Sequence, residues 1–162
     1  MSHRFTIATL SELLRVTQDC TRTLRVCAQH AQGASLRMLL NVLVQRSSSA
    51  SGELQMLIAQ LGGDAEASGS ARMRLRLRQG LRQLPELWVP EDDDAAIEAC
   101  ERGEDHALEL YRNALDDHLP DFVRQTVTRQ FEDLVGDQDR IRIFRSEPPR
   151  GGGTSLGGHA HP

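Results

Sequence analysis

Between positions 10 and 31, apolar and small residues return at steps of three and four: Leu10, Leu13, Thr17, Cys20, Leu24, Cys27 and Ala31. That spacing puts them on one face of an α-helix. The period recurs through Leu36, Leu39, Leu40, Leu43, Leu54, Leu57 and Leu61, and again through Ile97, Glu101, Glu104, Leu108, Tyr111 and Leu115. It recurs a fourth time through Val123, Val127, Phe131, Leu134, Gln138 and Ile141. The chain thus holds four one-sided rods, each obliged to bury its stripe against another. The spacing predicts helices over about 9–31, 34–61, 93–119 and 121–145, each roughly 35–42 Å long at 1.5 Å per residue.

The ends of the rods carry matching signals. Thr9 followed by Glu12 has capping-box spacing for the first helix. Gly33 permits a tight reversal, and Gly62-Gly63 is a C-terminal stop. Asp92-Asp93-Asp94 supplies a cap and complements the dipole of the third helix. Pro120 ends that helix, Pro120-Asp121 opens the fourth, and Pro148-Pro149 stops it. The middle of the second helix, Ser47-Ser48-Ser49-Ala50-Ser51-Gly52, is built of small residues. They either admit another backbone at close range or mark a kink.

Short connections make the first and second helices antiparallel neighbours, and likewise the third and fourth. The connection over 62–92 is long enough to cross the length of a bundle, so the second and third helices can run parallel. One long crossover in an all-α four-helix bundle is the ferritin-like arrangement. Within the crossover, Ala71–Leu84 reads as a short amphipathic helix, with Met73, Leu75, Leu77, Leu81 and Leu84 set against Arg72, Arg74, Arg76, Arg78 and Arg82. Pro85 and Pro90 bracket Trp88, the sole tryptophan. Residues 1–147 form one predicted domain. The Gly-rich tail 148–162 offers only Leu156 to a core and is predicted to be disordered.

Composition agrees with helices: aromatics are 4% of the chain, and Leu, Ala, Arg, Glu and Gln dominate its middle. The net charge of −4 argues against a nucleic-acid binder, although it is unevenly spread. Residues 1–82 carry 11 Arg against 5 acids, and residues 83–162 carry 8 Arg against 18 acids. Every basic residue is Arg. The three cysteines, Cys20, Cys27 and Cys100, are odd in number and lack a CxxC, so neither a disulfide framework nor a zinc ribbon is expected. Reduced thiols imply a cytoplasmic setting. Met1–Leu14 lacks the apolar run of a signal peptide, and no stretch approaches a membrane span.

Several segments resemble an uncharacterised bacterial four-helix-bundle family, a domain of unknown function in the ferritin-like superfamily. They are Leu10-Ser11-Glu12-Leu13-Leu14, Gly52-Glu53-Leu54, Leu61-Gly62-Gly63 and Gly69-Ser70, with Cys100-Glu101-Arg102-Gly103-Glu104-Asp105 and Asp139-Arg140-Ile141-Arg142 the most specific. The resemblance spans about Thr6–Arg145. It implies the bundle fold and a chain that self-associates, and it implies no particular activity. Members of that family commonly carry an acid where Thr21 stands, His where Gln138 stands, and a His-Arg pair with a Trp where this chain has Arg76-Leu77-Arg78-Gln79. The departures imply a degenerate metal site.

Counting along the rods puts Glu101, Glu104, Gln138, Cys20, Thr21 and Gln45 at similar depth. A di-iron bundle needs a Glu from each of two helices and a Glu-x-x-His from each of the others. The second and fourth helices have no Glu-x-x-His. Glu101, Glu104 and Gln138 therefore stand as weak metal candidates. In the structural reading, the two Glu pair with Arg from the first or second helix or sit at the bundle margin, with Glu104 hydrogen-bonded near Tyr111 or Gln45. His106 and His118 fall off the stripe, His30 lies near the turn between the first two helices, and the tail pair His159 and His161 has no fixed co-ligands. No catalytic motif and no cofactor fingerprint appears.

Three functions follow. The first is a non-catalytic bundle acting by self-association, as a homo-oligomer, or by binding a protein partner, with Leu87, Trp88 and Val89 as a patch to watch; the plainer reading of Trp88 is a lid covering the bundle. The alternative is a ferritin-like protein that binds iron. Ranked below both is nucleic-acid binding through Arg72–Arg82, where Arg at alternate positions meets phosphates.

Overall fold

The computed structural model of the chain describes residues 3–65 and 88–146. Among these there are four long helices and no strand: α1 (Arg4–His30), α2 (Ala34–Gln60), α3 (Asp93–Asp116) and α4 (Asp121–Ser146). The expected four-helix bundle is present. The short helix over Ala71–Leu84, the Arg72–Arg82 strip, Leu87 and the tail 148–162 lie outside the described residues.

Two boundaries differ from expectation. α1 starts five residues before Thr9. Thr9 and Glu12 lie inside the helix and form no capping box; the cap position is His3, without a side-chain bond. The reason is that the inward period extends back one more turn, through buried Thr6. α3 stops at Asp116, not Leu119. Arg124, from the next helix, closes that end by donating from Nη1 to the Leu115 carbonyl at 2.8 Å and from Nη2 to the Asp117 carbonyl at 2.5 Å. Leu119 still reaches the core from outside the helix.

Other ends behave as read. Asp92 accepts a 2.7 Å bond from the Ala95 N–H, satisfying a donor that the helix leaves free. Asp93 does a different job: its carboxylate accepts the Gln32 and Gly33 N–H groups at 2.9 Å each, tying the start of α3 to the α1–α2 turn. At the far end of α2, Gly62 sits at φ 82°. Its N–H bonds the Ala59 carbonyl, and the Gly63 N–H bonds the Ile58 carbonyl, the paired bonds of a Schellman stop. A Cβ at Gly63 would lie 2.8 Å from Ile58 Cγ2, 2.9 Å from Ile7 Cγ2 and 3.2 Å from the Ile58 carbonyl oxygen. Gly63→Ala is therefore expected to destabilise the chain by about 1–3 kcal/mol, as overpacking does. Urea unfolding would read this as a lowered midpoint; an unchanged midpoint contradicts it.

Cross-helix contacts give the direction of each rod. Thr17, Cys20 and Cys27 of α1 meet Tyr111, Gly103 and Ala96 of α3 in reverse order, so these helices are antiparallel. Arg46 and Glu53 of α2 meet Asp137 and Arg129 of α4, also in reverse order. α1 and α2 reverse through a short turn, as do α3 and α4. It follows that α2 and α3 run parallel, and that Leu61 and Asp92 lie at opposite ends of the bundle. The order around the bundle is α1, α2, α4, α3.

The core is divided. One apolar block joins Leu24, Cys27, Leu36, Leu40, Leu43, Ile97, Cys100 and Ile141. The other joins Leu10, Leu13, Leu14, Leu54, Ile58, Tyr111, Val123 and Val127 at the opposite end. Between them lies a layer of buried polar residues: Thr17, Thr21, Glu104, Gln130, Asp137 and Gln138. α2 crosses this layer without interruption, so the small residues at 47–52 produce no break. They admit close approach instead: Ser47 donates to the α1 backbone at the Thr17 carbonyl, 3.2 Å away, and its hydroxyl lies 2.5 Å from that of Thr21.

Candidate functional site

The polar layer opens into a cavity of about 280 Å³ between α2 and α4. Its inner wall is Thr17 and Cys20 of α1 and Glu104 and Tyr111 of α3; its mouth is Arg46, Glu53, Arg129 and Asp133. Ser47, Ser49 and Ala50 leave this space because larger side chains there would fill it.

Tyr111 organises the layer. Its hydroxyl donates to Gln130 Oε1 at 2.7 Å and lies 3.4 Å from Thr17 Oγ1. Gln130 Nε2 in turn donates to the Ala50 carbonyl at 3.2 Å. One chain of polar groups therefore reaches all four helices. Burial pushes the phenol above its ordinary range, with the Thr17 bond opposing, so it stays protonated.

Glu104 is the unusual member. It is 3% exposed, and its Oε2 has no hydrogen-bond partner among the described residues. The expected bond to Tyr111 or Gln45 is not formed, because Tyr111 is directed to Gln130. Burial, with the charges of Asp137 and Asp105, pushes the Glu104 carboxyl up to about 8. Asp137 is also raised, first by burial, against the pull of Arg46. Arg46 Nε lies 3.0 Å from Asp137 Oδ1, and Nη2 lies 3.6 Å from Asp133 Oδ1. Arg129 pairs with Glu53. Burial pushes the Cys20 thiol up to about 12, and that thiol donates to the Gly103 carbonyl. The Cys100 thiol is raised by its hydrogen bond with Cys27 and by burial. All three cysteines are free and buried.

The other weak metal candidates do not converge with Glu104. Glu101 pairs with Arg145 at 2.6 Å; the partner belongs to α4, where α1 or α2 was expected. Gln138 donates to Asp105. Among the described residues no group of three or more His, Cys, Asp or Glu is placed to hold a metal ion. His30, His106 and His118 are exposed, and Trp88 is 40% exposed and Val89 49%. Sequence reasoning missed Gln130 and Asp137, which stand beside the apolar period of α4, and it missed the pairing of Arg46 with Asp137 and Asp133 across the groove.

A second feature is the outer face of α2. Met38 is 72% exposed and Met56 64%, with Val42 half exposed between them. From Met38 to Gln60 no exposed residue is charged; Arg46 and Glu53 are half-buried and tied to α4. The outer face of α4, by contrast, presents Arg129, Glu132, Asp133, Asp139, Arg140, Arg142 and Arg145. Among the described residues no helix is long and apolar enough to cross a membrane.

Fold and site together define an all-helical four-helix bundle with a polar layer across its core. Residues 6–117 match the family described as Domain of unknown function (DUF2383), and the chain belongs to that family. The match covers α1 to α3, so the α4 side of the cavity lies beyond it. No curated protein matches the chain.

Proposed function

We propose that the protein is a cytoplasmic, ferritin-like bundle that acts by self-association rather than catalysis, through the outer face of α2. The observation that carries this reading is the uncharged run of exposed residues from Met38 to Gln60. An uncharged face that also carries exposed Met38, Val42 and Met56 has the charge depletion and Met enrichment of association surfaces. The face is also self-complementary. About position 47 of α2, Met38 and Met56 are equidistant, as are Val42 and Gly52, and Gln45 and Ser49. Two α2 helices packed antiparallel about a two-fold axis would set each of these residues against its counterpart in the second copy. Val42 would then meet Gly52, a large residue against a small one.

Parallel α2 and α3 support the ferritin-like assignment, as one long crossover requires it. The engaged state of Glu101 and Gln138 supports a degenerate metal site over an iron-binding one. Light scattering tests the reading. The expected mass is twice the 18.0 kDa of one chain, and Met38→Glu, which places four carboxylate-bearing or apolar groups in conflict at the paired ends, is expected to weaken association about 100-fold. A monomer at all concentrations up to about 1 mM would refute it.

A further inference from the structure

We propose that the cavity between α2 and α4 binds a small organic cation, an aliphatic primary amine, through the inward carboxylate of Glu104. The case rests on what the wall still lacks. Each donor near the inner end is committed: Tyr111 to Gln130, Gln130 to Ala50, Thr17 to the Leu13 carbonyl and Cys20 to the Gly103 carbonyl. Glu104 lines the cavity, and its Oε2 is buried with no donor among the described residues. A buried carboxyl oxygen without a partner is rare and calls for one. The charge around the cavity is also unbalanced. With Glu104 ionised, Arg46 and Arg129 face four carboxylates, those of Glu53, Asp133, Asp137 and Glu104, and an added cation offsets part of that excess.

The ligand class follows from shape and donors. An ammonium group supplies three donors and a positive charge. Its aliphatic stem would lie along Leu43, Ala50, Ala107 and Leu134. A cavity of about 280 Å³ holds a ligand of several heavy atoms. A bare metal ion would need more converging ligands than the described residues bring together.

Binding must be linked to protons, because an ammonium pairs with the ionised form of Glu104 and burial keeps that group protonated below about 8. The groups facing it are Arg129, Asp133 and Asp137 of α4, Arg46 and Glu53 of α2, Cys20 of α1, and Asp105 and Tyr111 of its own helix. Cys20, at about 12, titrates above the window of interest. From pH 6 to pH 8 the affinity for an amine is therefore expected to rise roughly 50-fold, with release of one proton on binding at the lower pH.

Isothermal titration of the full chain with butylamine tests this, with sodium chloride and manganese chloride as separate arms. The result expected is saturable binding of butylamine at one site, stronger at pH 8 than at pH 6, and lost by at least tenfold in Glu104→Gln. Ala50→Leu, which fills the cavity without touching a charge, is expected to abolish binding as well. The same titration in Met38→Glu reads the site without association, so its outcome is separate from that of the self-association reading. No saturation by about 10 mM butylamine at pH 8 would overturn the proposal. So would equal affinity in wild type and Glu104→Gln, or stoichiometric manganese binding without amine binding.

Discussion

Glu104→Gln is expected to stabilise the protein at pH 9 by up to about 5 kcal/mol while leaving its stability at pH 5 nearly unchanged. The sign comes from the direction of the shift. Burial and the charges of Asp137 and Asp105 raise the carboxyl from 4.5 to about 8 in the folded chain. Between those values the folded state holds a proton that the unfolded state has lost. Stability therefore falls as pH rises from about 4.5, and the full loss is reached above about 8. Asp137, also raised, adds to the same slope. Gln keeps the shape, never ionises, and removes the larger part of the slope. Urea midpoints at pH 5, 7 and 9 for wild type and variant measure this. Parallel pH profiles would contradict the burial of Glu104 in the polar layer.

The second large effect is at Tyr111. Tyr111→Ala is expected to cost about 3–5 kcal/mol, since a fully buried ring is lost from one of the two apolar blocks. Tyr111→Phe isolates the hydroxyl and is expected to cost about 1–3 kcal/mol, because Gln130 Oε1 would remain buried without its donor. Double mutation with Gln130→Leu should recover part of that loss, as removing both partners is milder than removing one. A Phe variant as stable as wild type would mean that the bond linking α3 to α4 contributes nothing.

The fold was legible because the inward period of each rod is long and because turn residues punctuate it. Gly62-Gly63 and Asp92 do at their positions what their chemistry predicts. The start of α1 was not, because a capping-box pattern at Thr9 and Glu12 competes with a stripe that continues to Thr6, and packing of that stripe wins. Glu104 was visible as an acid on an apolar stripe. Its isolation was not, since the partner of Tyr111 is Gln130, a residue whose place off the α4 stripe gave no warning. The cavity itself depends on Ser49 and Ala50 standing opposite Asp133 and Asp137, a register between α2 and α4 that periodicity within either helix does not encode.

The most direct test of the account is a pair of spin-label distances across the two-fold axis. Labels at Ser48→Cys should lie close together in the assembled protein, about 10–20 Å apart, because helices in contact are 8–10 Å between axes. Labels at Gln60→Cys should be separated by about 40 Å along the axis, the span of an antiparallel pair centred on position 47. Short distances at both positions would mean a parallel pairing, and no measurable coupling at Ser48 would mean that α2 is not the surface on which two chains meet.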